Sequence, residues 1–567
     1  MAAAAVHLPL LLMQLPLKSY DTNFHIFFAS HYAKHWFDPW NPKWFAGFSQ
    51  TTYPPLPQQW TAIFSWLIGL NTAYMAVQFI GILLLAVGVY RFAALWVDRR
   101  SASYAALASV FIGVESFLVY SAGQLGTTLS APIYLNALPF FYQWLRSGRW
   151  RAFVKASVLL ATAAAAHHVT LLFGSILFAL PIIVLAAIDG RSEEPSDQRS
   201  SLAKIVVRTV SITIAVGVAT GIALLPYWIG LIRYPITQTP IPHASRANFL
   251  LSPESGLNYF VIPYGALILA LPWIVIFGAR FVRLRPLLFG FWAAFLLGLG
   301  GTTPFAKLVL GRAFEVLTFE RFTYWATLLC LPILGLVIAR AIDRFRLKAA
   351  IPIGLLAMFT CGFAVAWSTF RPADAANFNV DSIALWLNRD GHDHYRYVTL
   401  GFGSKLSRLS IETNANSVDG ESNSSRMLPE LTQFGGAALT SAKYFAKPGL
   451  DSLRAMLNHA DHYGLKWVIV RDSYYDPLLY FAGWRKVDTL NENLITIWSK
   501  DGVPPAVAMN AAERPTPLQG ILWGTLPVAF SLLAIFVVVW LRDDALAVPT
   551  DEIASIKDGS VSDEATA

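Results

Sequence analysis

Apolar runs of about 20 residues recur along this 567-residue chain, separated by short polar loops. Runs of that length match the hydrocarbon thickness of a bilayer, where a helix satisfies its own backbone groups. Twelve membrane helices are predicted, at roughly Ala2–Leu17, Ala73–Val97, Ala102–Tyr120, Leu129–Leu145, Phe153–His167, Val169–Ala187, Ile205–Leu231, Tyr259–Phe277, Leu287–Gly300, Phe322–Ala341, Ile351–Trp367 and Leu518–Leu541. Basic residues collect in Asp98-Arg-Arg100, Arg146 to Arg151, Arg280 to Arg285, Arg340 to Lys348 and both ends of Asp189 to Lys204. With twelve helices these loops share one side, the cytoplasmic one by the positive-inside rule. Lys18–Thr72, Ile232–Asn258, Gly301–Arg321 and Arg371–Pro517 then lie outside.

The first run has no Lys or Arg ahead of it and no cleavage signature. It is expected to be a short first helix, or one whose start lies upstream of Met1. Trp60–Leu70 follows a proline cluster and is too short to span. It is expected to lie in the interface, with Trp36, Trp40, Trp44 and Trp60 as headgroup anchors. Half of a re-entrant hairpin is the other arrangement its length permits.

Residues 371–517 have α/β texture. Helices are predicted at Asp381–Leu387 and Leu450–Tyr463, and strands at Tyr395–Leu400, Leu465–Arg471 and Leu494–Trp498. The fold class is therefore a polytopic α-helical membrane protein with an extracytoplasmic α/β domain before its last helix. The expected division is a membrane module over 1–370, with an amphipathic first outer loop at 18–72, then the α/β domain over 371–517. A last helix at 518–541 and a disordered cytoplasmic tail at 542–567 follow.

Composition narrows the function. Apolar residues make up 55% of the chain and charged ones only 14%, against about a quarter in soluble domains, and the mean hydropathy is +0.49. The net charge of +8 resides largely in the basic loops, so it signals topology rather than nucleic acid. Cys330 and Cys361 lie inside apolar runs, which excludes a disulfide framework. A Gly-rich phosphate loop, a Gly-x-Ser-x-Gly elbow and a His-Glu-x-x-His motif are all absent. A nucleotide-fed cytoplasmic reaction has no visible site, which favours a lipid-carried substrate handled outside.

Polar residues at the outer ends of membrane helices are the candidates for chemistry. Asp21 and His25 are four residues apart and share a face if their segment is helical. Asp21 could act as a general base, or simply cap that helix. Glu115 could serve acid/base chemistry or pair with an arginine. His167 and His168 are adjacent, so joint chelation is disfavoured, but either could face a substrate. Glu320-Arg321 stands at the mouth of a helix, and Arg321 could grip a phosphate with Lys307, Arg312 and Arg246 around it, or anchor at headgroup level. Tyr53 closes the first loop and joins the substrate-binding candidates.

Four features together resemble the GT-C class of integral-membrane glycosyltransferases: the early Asp21 on the first outer loop, the interfacial loop ending Tyr53-Pro-Pro-Leu56, the alternating outer loops, and the outer domain ahead of a last helix. More narrowly, Asp21-x-x-x-His25, Asn41-Pro-Lys-Trp-Phe-Ala-Gly47, Tyr53-Pro-Pro-Leu56, Gly300-Gly-Thr-Thr-Pro304, Glu320-Arg-Phe322 and Trp467-Val-Ile-Val470 are similar to a bacterial membrane-protein group. That group is labelled "6-pyruvoyl-tetrahydropterin synthase-related" and lies near the YfhO-like proteins. The pterin chemistry in the label finds no three-histidine zinc site here.

The class resemblance implies a polyprenyl-phosphate sugar donor, Asp21 as base and Arg321 on the donor phosphate. The acceptor would be an outer-face glycan, lipid or protein. Many members pair two acidic residues in the first loop, and some hold a divalent metal there. Asp21 stands alone, with Asp38 far along the loop, so a metal-free, cofactor-free, inverting transfer in the plasma (inner) membrane is expected. A lipid-linked-sugar flippase and a non-catalytic subunit with a partner-binding outer domain are the alternatives. Bare helix midplanes argue against transport.

Overall fold

The computed structural model describes residues 1–193, 198–234, 239–240, 242–372, 378–436 and 438–541. The expected tail at 542–567 lies outside the described residues. Seven described helices are long and apolar enough to cross a membrane: Leu70–Ala93, Arg99–Ala122, His168–Gly190, Leu202–Ala223, Glu320–Phe345, Leu347–Phe370 and Pro517–Trp540. An eighth span results if Pro253–Tyr264 and Leu267–Arg280, bent by 60°, count as one. Leu125–Ser147, Trp150–Ala166 and Arg285–Gly298 are helical where spans were expected, but fall short in length or apolar content. The first run forms only Ala2–Leu12, because the chain turns left-handed at Gln14 (φ 55°) into a short Leu15–Lys18 turn.

Close approach holds the bundle together. A Cβ at Gly335 would stand 2.2 Å from the Ser101 carbonyl, so only glycine lets these helices meet. At one end, Tyr142 donates to Asp189 Oδ2 (2.5 Å) and Arg283 pairs with the same carboxylate. Arg283 Nη2 also donates to the Leu95 carbonyl (2.7 Å). Two loops expected on one side of the membrane are thus tied together. Asp189 is buried, so Asp189→Ala leaves the Arg283 charge uncompensated. The expected cost is about 3–5 kcal/mol, read as a lowered melting temperature in detergent.

The α/β domain is built on a four-stranded sheet of order β3-β4-β6-β5. Its strands are β3 (Arg396–Leu400), β4 (Leu465–Val470), β5 (Arg485–Leu490) and β6 (Ile495–Ser499). β3 and β4 are parallel, and the other pairs are antiparallel. Alternation sorts the two faces. Val398, Leu400, Val468 and Val470 face one cluster, and Tyr397, Ile469, Ile495 and Ile497 another with Trp386 and Leu387. β5 was not legible in sequence: it is a polar, partly exposed edge strand.

The first loop, expected at the headgroups, also makes protein contacts. Its two-residue strands β1 (Trp40–Asn41) and β2 (Phe48–Ser49) pair as a hairpin whose tip docks under the α/β domain. The Trp44 indole is fully buried and donates to Ser410 Oγ (2.9 Å). Lys43 O accepts from the Ser417 backbone (2.7 Å), and Lys43 Nζ donates to the Thr413 and Asn414 carbonyls. Trp36 donates to Gly524 O (3.0 Å) and Trp60 to Ser531 Oγ (3.2 Å), both on the last helix. Trp44 thus finds its partner in the α/β domain, and Trp36 and Trp60 find theirs on the last helix. Trp60–Leu70 becomes the helix Leu56–Ile68, ending at Gly69.

Candidate active site

The turn before Asp21 is stapled to the turn at Gly123. Tyr20 N and Asp21 N donate to the Ser121 (3.1 Å) and Ala122 (2.9 Å) carbonyls. Gly123 is left-handed (φ 74°), and a Cβ there would stand 2.3 Å from Ser19 Oγ. Thr22 Oγ1 donates to Tyr74 (3.0 Å), whose hydroxyl reaches the Gly123 carbonyl (3.3 Å).

Asp21 is the residue before the helix Thr22–Lys34, yet its side chain makes no capping bond. Among the described residues its carboxylate has no hydrogen-bond partner. Burial raises its pKa to about 7; the Arg321 charge opposes that rise and Glu320 adds to it. The capping role that sequence left open is therefore not the one taken.

His25, one turn on, is buried. Its Nδ1 lies 2.8 Å from the Gln58 amide. With the Gln58 oxygen facing the ring, the Gln58 nitrogen donates to the Pro54 (3.2 Å) and Pro55 (3.1 Å) carbonyls. The Tyr53-Pro-Pro segment thereby fixes the His25 tautomer, with Nδ1–H donating and Nε2 an acceptor. Burial first, then Arg321, lowers the His25 pKa to about 3, so the ring is neutral.

Arg321 lies at the centre of the site. Its Nε donates to Gln124 Oε1 (3.2 Å), and Gln124 Nε2 donates to Glu320 Oε1 (2.5 Å). Its charge is felt at Asp21, His25, Tyr53, His167, His168 and His243. Glu320 is buried and faces His243, whose Nδ1 lies 2.7 Å from Ser245 Oγ. Ser245 Oγ accepts from Phe319 N (3.0 Å). The Gly300-Gly301 pair makes room for this loop, since a Cβ at Gly300 would stand 2.1 Å from Ser245 O. Gly126 brings the Tyr53 hydroxyl and the His167 ring together in the same way.

Asp21, Gln124, His167 and Phe319 each immediately precede a helix. Arg321, in the first turn of its own helix, interacts with the residues that precede three other helices, an arrangement suited to an anion. Asp21 and Arg321 both keep part of their surface accessible. The α/β domain covers the junction: Tyr444 donates to Pro242 O (3.3 Å), and Glu421 and Tyr444 act electrostatically on Tyr20. Among the described residues, no three His, Cys, Asp or Glu side chains converge as a metal site.

Asp21, His25, Tyr53, His167, His168, Glu320 and Arg321 are therefore brought together. Glu115 is buried one helical turn along, where it faces Tyr324 rather than Arg321. Arg246 donates to Leu317 O (2.9 Å) at the rim. Lys307 and Arg312 are exposed beyond it. Sequence reasoning missed Gln124 and His243. A polar Gln after Gly123, between two apolar runs, was the available signal for the first.

No protein-family profile and no curated sequence matches the chain. Solved structures do. The oligosaccharyltransferase of Archaeoglobus fulgidus, tethered with an acceptor peptide, aligns at TM-score 0.51 and 12% identity over 84% of this chain and 70% of that one. ArnT from Cupriavidus metallidurans, bound to undecaprenyl phosphate, aligns at 0.50 and 14% over 89% of this chain and 98% of its own. Arabinofuranosyltransferase AftD from Mycobacteria aligns at 0.52 and 14% over 88% of this chain, which spans 39% of it. The chain is a membrane protein and shares the fold of these GT-C structures.

Proposed function

We propose that the chain is a GT-C glycosyltransferase that moves a sugar from a polyprenyl-phosphate donor to an acceptor on the outer face of the plasma membrane. The observation that carries this reading is the unpartnered Asp21 carboxylate beside Arg321, which interacts with the residues that precede three helices other than its own. Asp21 takes the proton of an acceptor hydroxyl, whose oxygen forms the new bond to the anomeric carbon. The sugar–phosphate bond breaks, and the polyprenyl phosphate leaves with the electron pair. Arg321 and the helix ends stabilise its charge. Neutral His25, with Nε2 as acceptor, orients the hydroxyl. The undecaprenyl phosphate bound by the structurally similar ArnT supports a lipid-phosphate donor.

Twelve spans, with the α/β domain outside and the tail inside, fit the clustering of basic loops at the end opposite Asp21. The narrower bacterial group is proposed on the motifs quoted above. Residues 371–517 are proposed as the acceptor-side cover of the site. Incubating the purified protein with radiolabelled polyprenyl-phosphate sugars tests the activity. The reading expects label to move to an acceptor, and failure with every donor and acceptor class would refute it. Because the other first-loop acid, Asp38, pairs with Arg514 rather than with Asp21, transfer is expected to be unchanged by EDTA. Loss of activity restored by Mg²⁺ or Mn²⁺ would overturn metal independence.

A further inference from the structure

We infer that Gln124 is a positioning residue that keeps the Arg321 guanidinium open for an anion by standing between it and Glu320. Glu320 and Arg321 are neighbours on one helix, and the carboxylate is buried beside the cation. Direct pairing would neutralise the guanidinium and occupy the fork that matches a phosphate. Instead the Gln124 amide sits between them. Its oxygen accepts from Arg321 Nε (3.2 Å) and its nitrogen donates to Glu320 Oε1 (2.5 Å). The carboxylate is held by a neutral donor, and the cation is anchored through Nε alone. Among the described residues neither terminal nitrogen of the fork has a hydrogen-bond partner, so both remain for a ligand.

Gln124 is itself fixed. Thr127 Oγ1 donates to its Oε1 (3.3 Å), and its backbone N donates to Leu118 O (3.0 Å). It stands immediately before the helix Leu125–Ser147, after the left-handed Gly123. It is 6% exposed, so water competes little for either bond. The amide answers both charges from one neutral group, with its oxygen as acceptor and its nitrogen as donor.

The inference rests on the reading of Arg321 as the phosphate contact. The test uses purified full-length protein in detergent, undecaprenyl phosphate as the probe, and binding measured directly. Gln124→Ala is expected to weaken binding at least tenfold, and Arg321→Ala more. The double variant should bind no more weakly than Arg321→Ala alone, because Gln124 acts only through Arg321. Gln124→Glu, which brings a second carboxylate against the guanidinium, should weaken binding at least as much as Gln124→Ala. It replaces Gln124→Ala should that protein fail to fold. If Arg321→Ala weakens binding and the Gln124 variants do not, or if the losses add in the double variant, the positioning role is refuted while the phosphate reading stands. If Arg321→Ala leaves binding unchanged, both are refuted.

Discussion

Asp21→Asn is expected to lower kcat/KM for sugar transfer by roughly 10²–10⁴-fold, the usual contribution of a positioned general base. The same substitution should make the protein more stable at pH 8. Burial holds the Asp21 pKa at about 7 in the folded chain against 3.8 for the free group. The folded state therefore favours the protonated acid. The stability this contributes is complete below about pH 4 and is lost as the pH rises through about 7. The difference between 3.8 and about 7 sets an upper bound of about 4 kcal/mol at pH 8. Asparagine never ionises and escapes that cost. Thermal melts of both proteins at pH 8 and pH 4 should separate at the first and nearly coincide at the second. The wild-type pH–rate profile should fall on its acid side near pH 7. An Asp21→Asn protein with full transfer would remove Asp21 from the chemistry. One that melts lower than wild type at pH 8 would show instead that the carboxylate is structural.

Trp44→Ala should cost about 3–5 kcal/mol, the range for removing a large buried aromatic. The indole is fully buried and stacks on Phe27 at 4.0 Å between ring centroids. Phe24, Phe28, Phe45 and Phe48 surround it, and Gly420 of the α/β domain is close enough that a Cβ there would stand 2.9 Å from the indole ring. The helix that Asp21 precedes therefore shares one core with the α/β domain. Losing Trp44 should lower the melting temperature and expose the 414–426 loop to trypsin at Arg426. It should also reduce transfer, although Trp44 lies outside the reacting groups. Trp44→Phe keeps much of the apolar contact but loses the Ser410 bond, and should fall between wild type and Trp44→Ala. Unchanged melting and proteolysis in Trp44→Ala would mean that other contacts hold the domain in place.

Much of the membrane module was legible because its signal is local. A 20-residue apolar run needs no distant partner to be recognised, and the strands Arg396–Leu400 and Leu465–Val470 announced themselves as β-branched, apolar segments. The edge strand Arg485–Leu490 did not, because half of it faces water and its pattern resembles a loop. The aromatic loop was ambiguous for a different reason. Its amphipathic tryptophans suit a membrane interface as well as a protein one, and only the partner surface distinguishes the two.

The same division runs through the candidate site. Asp21, His25, Tyr53 and Arg321 stood out as polar residues at the ends of apolar runs, where burial of a charge demands a reason. Glu115 satisfied that criterion too, but it faces Tyr324, a turn away from Arg321. Gln124 and His243 did not stand out, since neutral or isolated polar residues are common at helix ends.

By itself the sequence determined that this chain is built of membrane-length apolar helices and where polar groups fall between the apolar runs, because hydrophobicity and charge are properties of each segment. Only the tertiary structure decided that the Asp21 carboxylate finds no partner among the described residues, that Gln124 separates Glu320 from Arg321, and that Trp44 packs into the core of the α/β domain. Those outcomes depend on which segments, hundreds of residues apart, come within hydrogen-bonding distance, and on the burial that follows.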